Sequence, residues 1–364
     1  NQVIPEYRDR LKCYLEPLRL NLNDYRVMLI HPWQYDHTIG EQFEEWIAKK
    51  ILLPTPFTVE SKATLSFRTM DLIHTPYHVK LPVNVQATSA VRTVSSVTTV
   101  DGPKLSHALQ GLLQEFPELQ VAMEPFGAYA HTATDLSKQL ALIIRQKPTI
   151  YDYGCTVVTA SLVNPNPIDN QAVVDSYLKW IENEITLDHI KHFIAIYTQT
   201  LVTPLIAYIQ NYGMALEAHM QNTIVNLGPN YKMKFIVRDL GGSRIDLNTL
   251  KQKVPQIDVT NESLIADTIE EVIAKFQHAV IQNQLAELIH HFNQYDEVIE
   301  EELFEIVREE IEIAIDNDKP HAEKLKKILF GSTITVKALL SMRMENKVKK
   351  YLNTKLDNPI KKEV

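Results

Sequence analysis

Residues 77–86 read Tyr-His-Val-Lys-Leu-Pro-Val-Asn-Val-Gln, and their alternation sets the class of fold. Val79, Leu81, Val83 and Val85 take every second position, with His78, Lys80, Asn84 and Gln86 between them. Successive side chains of an extended chain point to opposite faces, so the aliphatic set belongs to a core face and Lys80, Asn84 and Gln86 to the other. If the extended geometry continues, Thr88 shares the polar face. Arg92 follows one helical turn later, where Thr88 also qualifies as the cap of a short helix through Thr93. Upstream, Ser66 and Arg68 alternate with Leu65, Phe67 and Thr69 and share a face of their own. A hairpin pairing the two stretches collects Ser66, Arg68, Lys80, Thr88 and Arg92 into a floor of three fixed cations and two hydroxyls. Such a floor suits a polyanion, a triphosphate or a tricarboxylate. An exposed sheet face with scattered cations satisfies the same pattern.

Outward from this stretch, short β-branched runs broken by Pro, Asn, Asp and Gly extend from Arg26 to about Val163. They predict strands at 26–30, 57–70, 139–145 and 155–163, with helices at 39–52 and at 105–116, the latter entered after an Asp-Gly-Pro turn at 101–103. From about Asn170 onward, apolar residues recur at three- and four-residue spacing, predicting helices at 171–184, 189–212, 263–291, 299–316 and 322–329. A β-like insertion at 214–239 turns at 227–230. The reading is α+β: a β-rich domain over 1–150 and a mainly helical one over 151–364, without internal repeats. The acidic run 297–312 reads as the wet face of a helix whose stripe is Leu303, Ile306, Val307, Ile311 and Ile313. The basic stretch 347–362 reads as a solvated tail or helix end.

A chain of 364 residues that is 45% hydrophobic suits two or three domains with a sizeable core. With 37 Lys and Arg against 45 Asp and Glu, the formal charge of −8 argues against nucleic acid as a partner. The longest apolar run, 201–209, contains Pro204 and falls short of the roughly 20 residues of a membrane helix. Residues 1–10 lack an apolar signal core, and two cysteines, Cys13 and Cys155, point to a reducing cytoplasm. The chain starts at Asn1 rather than Met, so an upstream segment is expected to be missing. No Walker loop, dinucleotide fingerprint, kinase set or Gly-x-Ser-x-Gly is present. Cys155 reads as a packed small residue. His31, in His-Pro-Trp-Gln, reads as a strand exit beside a pocket-walling Trp33, and His290-His291 falls within a long helix.

A second constellation lies at 216–222, Leu-Glu-Ala-His-Met-Gln-Asn. Leu216, Ala218 and Met220 alternate with Glu217, His219 and Gln221, and Asn222 follows at the bend. Downstream, 235–237 is a short apolar strand that delivers Arg238 and Asp239 ahead of Gly241-Gly242. Two carboxylates and an amide oxygen form a hard donor set suited to Mg²⁺ on phosphates, whereas zinc would want more His or Cys. A buried polar cluster satisfying its own hydrogen bonds is the alternative.

Together, residues 30–34 (IHPWQ), 66–68 (SFR), Lys80, 87–93 (ATSAVRT), 217–222 (EAHMQN), 237–241 (VRDLG) and 337–343 (KALLSMR) give the chain, over nearly its whole length, a resemblance to the NRPS-independent siderophore (NIS) synthetases of the aerobactin-synthetase type. The resemblance implies a cupped-hand fold with β-rich fingers and a helical palm. It implies ATP activation of citrate, a citryl derivative or a related polycarboxylic acid as an acyl-adenylate, which an amine or alcohol then attacks. By the same resemblance Ser66, Arg68, Lys80 and Arg92 hold the nucleotide phosphates with Thr88 beside them. Thr88, Arg92 and His219 hold the polycarboxylate, Glu217, Asn222 and Asp239 bind Mg²⁺, and Lys80, Arg92 and His219 carry the catalysis. Homodimers are common among members, and no nucleic acid or membrane is implied. Members are longer and bear a Gly-His-Pro-x-His-Pro motif in an N-terminal thumb region, which this sequence lacks. The competing class is a non-catalytic polyanion-binding or assembly module that keeps the fold without turnover.

Overall fold

The computed structural model describes residues 3–87, 90–132, 135–147, 149, 154–338, 341, 344 and 353–362. Two compact units result, one made of Asn1–Ser106 with Met123–Lys147 and the other of His107–Ala122 with Pro148–Val364. A single cut at residue 150 therefore misses one exchange: 107–122 belongs with the second unit, because it supplies that unit's sheet with an edge strand.

The first unit carries β1 (Ser61–Ala63), β2 (Thr69–Leu72), β3 (Tyr77–Lys80), β4 (Val83–Ala87) and β5 (Ala90–Arg92). The exchanged segment then holds β6 (Leu119–Val121), and the chain returns for β7 (Phe126–Tyr129) and β8 (Ala141–Gln146). The main sheet runs β1-β2-β3-β8-β7, antiparallel throughout. The expected hairpin is present, pairing Thr69 with Lys80, Met70 with Val79 and Asp71 with His78. Ser66 and Arg68 fall just outside it, in the turn that leads into β2. The single strand expected over 77–86 divides at Leu81-Pro82, because proline has no N–H to give the ladder. Beyond that break β4 pairs with β5, setting Val83 opposite Arg92. Val79, Leu81 and Val83 are buried as expected, the first two packed with Leu72, Leu142 and Ile144, but Lys80 and Pro82 between them are buried too, so the polar side of the stretch opens only at Asn84. Residues 26–30 form no strand; they press Met28 and Leu29 on that core without joining the ladder.

The helix Ser96–Leu109 begins earlier than expected and carries Asp101-Gly102-Pro103 inside it. Pro103 lacks the N–H that would bond the Thr99 carbonyl. That carbonyl lies against Gly127 in β7, where an added Cβ would collide with it.

The second unit holds a four-stranded sheet, β6-β12-β11-β9, built from β9 (Cys155–Val158), β11 (Thr223–Leu227) and β12 (Met233–Val237), with β6 parallel to β12. The β11–β12 hairpin is the expected insertion. Its flanks β10 (Met214–Ala215) and β13 (Arg244–Ile245) pair with each other. The helix Leu187–Tyr212 is long and apolar enough by length and composition to cross a membrane, but most of its apolar window is covered by protein. Thr186 caps it by accepting the His189 N–H, and Tyr197 meets Phe235 of β12 edge-on at 4.9 Å. The helix expected over 263–291 begins at Ile269 and widens into π-type turns over Gln277–Leu285. Ile299–Ala314 buries Leu303, Val307 and Ile311 as the stripe requires, whereas Ile313 faces solvent. Within the basic stretch, β15 (Asn353–Asp357) pairs with β14 (Thr333–Lys337) as a strand rather than a tail.

Candidate functional site

In the first unit the backbone brings the expected cations together. The Leu81 N–H donates to the Arg68 carbonyl at 2.8 Å, which ties the loop before β2 to the end of β3, where Lys80 sits. The Arg68 guanidinium donates from Nη1 to the Thr93 carbonyl at 2.5 Å, next to Arg92. Ser66 closes the turn by accepting the Thr69 N–H at 2.7 Å. Lys80 is only 8% exposed, so this ammonium is set into the fold rather than spread on an open face. Thr88 lies outside the described residues, as does most of the KALLSMR stretch.

One side chain of the His-Pro-Trp-Gln turn, Gln34, weakly weighted in the sequence, holds these strands, while His31 caps the turn itself. His31 is the N-cap of the helix that starts at Pro32, its Nδ1 accepting the Trp33 N–H at 3.2 Å. Burial pulls its pKa below the ordinary histidine value, with the Phe67 backbone acting the other way. Gln34 is fully buried. Its Nε2 donates to the carbonyl and to Oε1 of Gln139 at 2.9 and 3.0 Å, and its Oε1 accepts the Asn84 N–H of β4 at 2.8 Å. Gln139 closes the ring by donating to Asn84 Oδ1 at 3.2 Å. Trp33 stacks on His37 at 3.9 Å.

In the second unit the 216–222 segment keeps its alternation of burial, with Leu216, Ala218 and Met220 inside, but it is a loop and not a strand. It ends in a turn closed by hydrogen bonds from the Asn222 and Thr223 N–H groups to the His219 carbonyl at 2.9 and 3.0 Å. That turn swings Asn222 back so that its Nδ2 donates to Glu217 Oε2 at 3.3 Å. Arg238 braces the loop through its Nη2 to the Gln221 carbonyl at 2.7 Å. Asp239 takes the left-handed conformation, φ 74°, and opens the short helix Leu240–Gly242. Gly242 lies so close to Glu217 that any Cβ there would overlap the carboxylate. Burial holds His219 below the ordinary imidazole value; the Glu217 and Asp239 carboxylates oppose this and Lys275 reinforces it, so the ring is neutral near pH 7.

Lys275 is the residue that sequence reasoning missed. Its ammonium meets Glu217 Oε1 at 2.5 Å from the helix Ile269–Phe276. It lies outside the buried stripe of that helix, Ile269, Val272, Ile273 and Phe276, so the apolar spacing gave no signal for it. The donor chemistry of Glu217, Asn222 and Asp239 fits a Mg²⁺ shared with phosphate oxygens, the form in which magnesium is usually held. It fits no self-sufficient cage: Glu217 is paired with Lys275, and among the described residues no group of three His, Cys, Asp or Glu side chains is placed to hold a metal.

Residues 1–164 match the model of the IucA/IucC family, and 191–352 match that of the ferric iron reductase FhuF-like transporters. The chain is 67% identical over its whole length to staphyloferrin A synthase of Staphylococcus aureus, covering 62% of that protein. It is 26% identical to D-ornithine–citrate ligase of the same organism, covering 60% of it. The petrobactin biosynthesis protein AsbB of Bacillus anthracis superposes with a TM-score of 0.85 at 21% identity, over 98% of this chain and 63% of that one. ATP-bound aerobactin synthetase IucA of Klebsiella pneumoniae gives 0.80 at 19%, over 98% and 66%. The α+β fold is thus that of the siderophore synthetases, and the chain spans about three-fifths of the curated relatives it matches.

Proposed function

Because the chain belongs to the NRPS-independent siderophore synthetases, we propose that it forms part of an ATP- and Mg²⁺-dependent ligase. The ligase condenses citrate, or a citryl or related polycarboxylic acid, with an amine or alcohol through an acyl-adenylate. The observation that carries this reading is the 67% identity to a staphyloferrin A synthase along all 364 residues. The convergence of Arg68, Lys80 and Arg92 on adjoining backbone supports it. The 191–352 stretch contains no cysteine, the usual ligand of an iron–sulfur redox centre, so the reductase name of its family model is not carried over.

In this reading Ser66, Arg68, Lys80 and Arg92 bind the triphosphate, with Thr88 beside them. Thr88, Arg92 and His219 hold the acid. A carboxylate oxygen of the acid attacks the α-phosphorus, the bond to the bridging oxygen breaks, and pyrophosphate leaves. The amine nitrogen or alcohol oxygen then attacks the acyl carbon, and AMP departs with the bonding electrons. Bringing two anions together is costly, and fixed cations aimed at the phosphates offset that repulsion without reorganising. Glu217, Asn222 and Asp239 are the residues that would hold Mg²⁺, which supplies further charge neutralisation on the phosphates when bound. His219, neutral at pH 7, is suited to accept the proton shed by the nucleophile.

The test is to give the complete protein ATP, Mg²⁺, citrate and hydroxylamine. Citrate-dependent pyrophosphate release with hydroxamate formation is the expected result. Citrate binding without release would favour the polyanion-binding module.

A further inference from the structure

We propose that Lys275 is an exchangeable counter-ion: it pairs with Glu217 and, when that carboxylate turns to Mg²⁺, passes to a spare carboxylate of the acid, so that metal and acid tighten each other's binding. The inference rests on the reading that Glu217 belongs to the magnesium set and His219 holds the acid, and it adds a substrate-binding residue to both.

Glu217 is engaged on both of its oxygens. Lys275 Nζ meets Oε1 at 2.5 Å and Asn222 Nδ2 donates to Oε2 at 3.3 Å, with His219 Nε2 at 3.9 Å from that same Oε2. Gly242 packs so closely that a methyl there would overlap the carboxylate. A carboxylate placed this way takes a further cation only if a neighbour yields. Asn222 can yield in place, because turning its amide presents Oδ1, a metal donor, where its NH₂ group now points. An ammonium has three donors and no acceptor, so Lys275 has nothing to offer a metal and repels it. Lys275 is therefore the neighbour that must leave. Its flexible four-carbon stem lets it do so without moving the helix that starts at Ile269.

Charge sets where it goes. The pair is only partly open to water, so a released ammonium needs another anion close by. The acid supplies one: a tricarboxylate that spends one carboxylate on adenylation keeps two more to be paired. Of Thr88, Arg92 and His219, which hold it in the proposed function, only Arg92 carries a permanent charge. Lys275 and His219 approach the two oxygens of one carboxylate, so an acid held by His219 comes into the neighbourhood of the lysine. Glu217, His219, Asn222, Gly242 and Lys275 all belong to the second unit.

Calorimetric titration of the complete protein with Mg²⁺ tests the exchange, in the presence of α,β-methylene-ATP, whose α–β bridge does not break. Concentrations are expressed as free Mg²⁺ and free citrate, which removes their complexation in solution. In the unmutated protein saturating citrate should lower the Mg²⁺ midpoint about five- to tenfold, and Mg²⁺ should tighten citrate by the same factor. In Lys275→Met the midpoint without citrate should fall, citrate should shift it less than about twofold, and citrate itself should bind about three- to tenfold more weakly. Lys275→Arg, which keeps a cation on a long stem, should retain most of the coupling. Glu217→Gln should raise the midpoint with or without citrate. If it does so while Lys275→Met keeps the full coupling, or while the unmutated protein shows none, the exchange is wrong and the magnesium site stands. If Glu217→Gln leaves the midpoint unchanged, the magnesium assignment falls and the exchange falls with it. A Lys275→Met protein that loses stability but keeps citrate affinity and coupling would mark the pair as a structural strut and overturn the proposal.

Discussion

The two polar clusters are built by opposite means. In the first unit the cations are mounted on or beside a ladder: β2 pairs with β3 and β4 with β5, so register fixes where Lys80 and Arg92 stand. In the second unit the polar groups hang from a loop, a left-handed residue and a helix, and Glu217 is held by Asn222, Lys275 and the bare backbone of Gly242. Their ion pairs differ in the same sense. Arg145 and Glu124 of the first unit meet at 2.7 Å with both side chains almost wholly buried, while Lys275 and Glu217 remain partly open to water. Ladder-built sites tolerate little local give, whereas a loop-built site can exchange one partner for another.

The largest expected effect follows from that burial. Arg145→Met leaves Glu124, already with one unpartnered oxygen, as an uncompensated buried charge, and should cost about 3–5 kcal/mol of stability in chemical denaturation. A loss below about 1 kcal/mol would mean that the first unit relaxes as freely as the second. Next come the cations themselves. Lys80→Ala and Arg92→Ala should each remove at least ~2 kcal/mol of transition-state stabilisation, read as kcat/KM for citrate-dependent pyrophosphate release. Near-normal turnover in both would remove them from the site.

This contrast also explains what the sequence disclosed. Period-two spacing exposed Lys80 and the buried Val79, Leu81 and Val83, because a strand writes its geometry into adjacent positions. The break at Pro82, which turns one predicted strand into two, was readable from the missing N–H and went unused. The alternation over 216–221 identified the buried set correctly while mistaking a loop for a strand, since burial alternates in both. Lys275 stayed hidden because its partner is 58 positions away and one cation on an amphipathic helix resembles any other. Gln34 was hidden for a related reason: nothing local distinguishes a buried amide from a solvated one.

Gly242→Ala tests how much give the second cluster has. The methyl would overlap the Glu217 carboxylate, and the overpacking should cost about 1–3 kcal/mol unless the carboxylate swings away. An alanine variant with unchanged stability but a raised Mg²⁺ requirement would show that Glu217 moves while the fold stays. Lys275→Met should cost less, about 0.5–1 kcal/mol, because the pair is partly solvated. The Mg²⁺ titration midpoint should fall, since Glu217 no longer needs to part from an ammonium. A midpoint that stayed put or rose would mean that Glu217 does not bind the metal.

The smallest effect is the pH dependence of stability, and it too separates the units. Burial lowers the pKa of His31 in the first unit and of His219 and His321 in the second below the 6.5 of a free imidazole. A depressed folded value means that the unfolded chain takes up protons first as the solution is acidified. The stabilisation is therefore complete above pH 6.5 and is lost as pH falls from there through the folded values. Glu270 and Glu312, held low chiefly by hydrogen bonds from Lys324 and Lys362, add their losses only below their ordinary 4.5, outside the range from pH 7.5 to 5.5. Melting temperatures recorded from pH 7.5 to 5.5 should decline, and a double variant, His219→Gln with His321→Asn, should flatten most of the decline while His31→Asn flattens less. A melting temperature that rose on acidification would require imidazoles stabilised in their charged form, and would put carboxylate attraction ahead of burial around these rings.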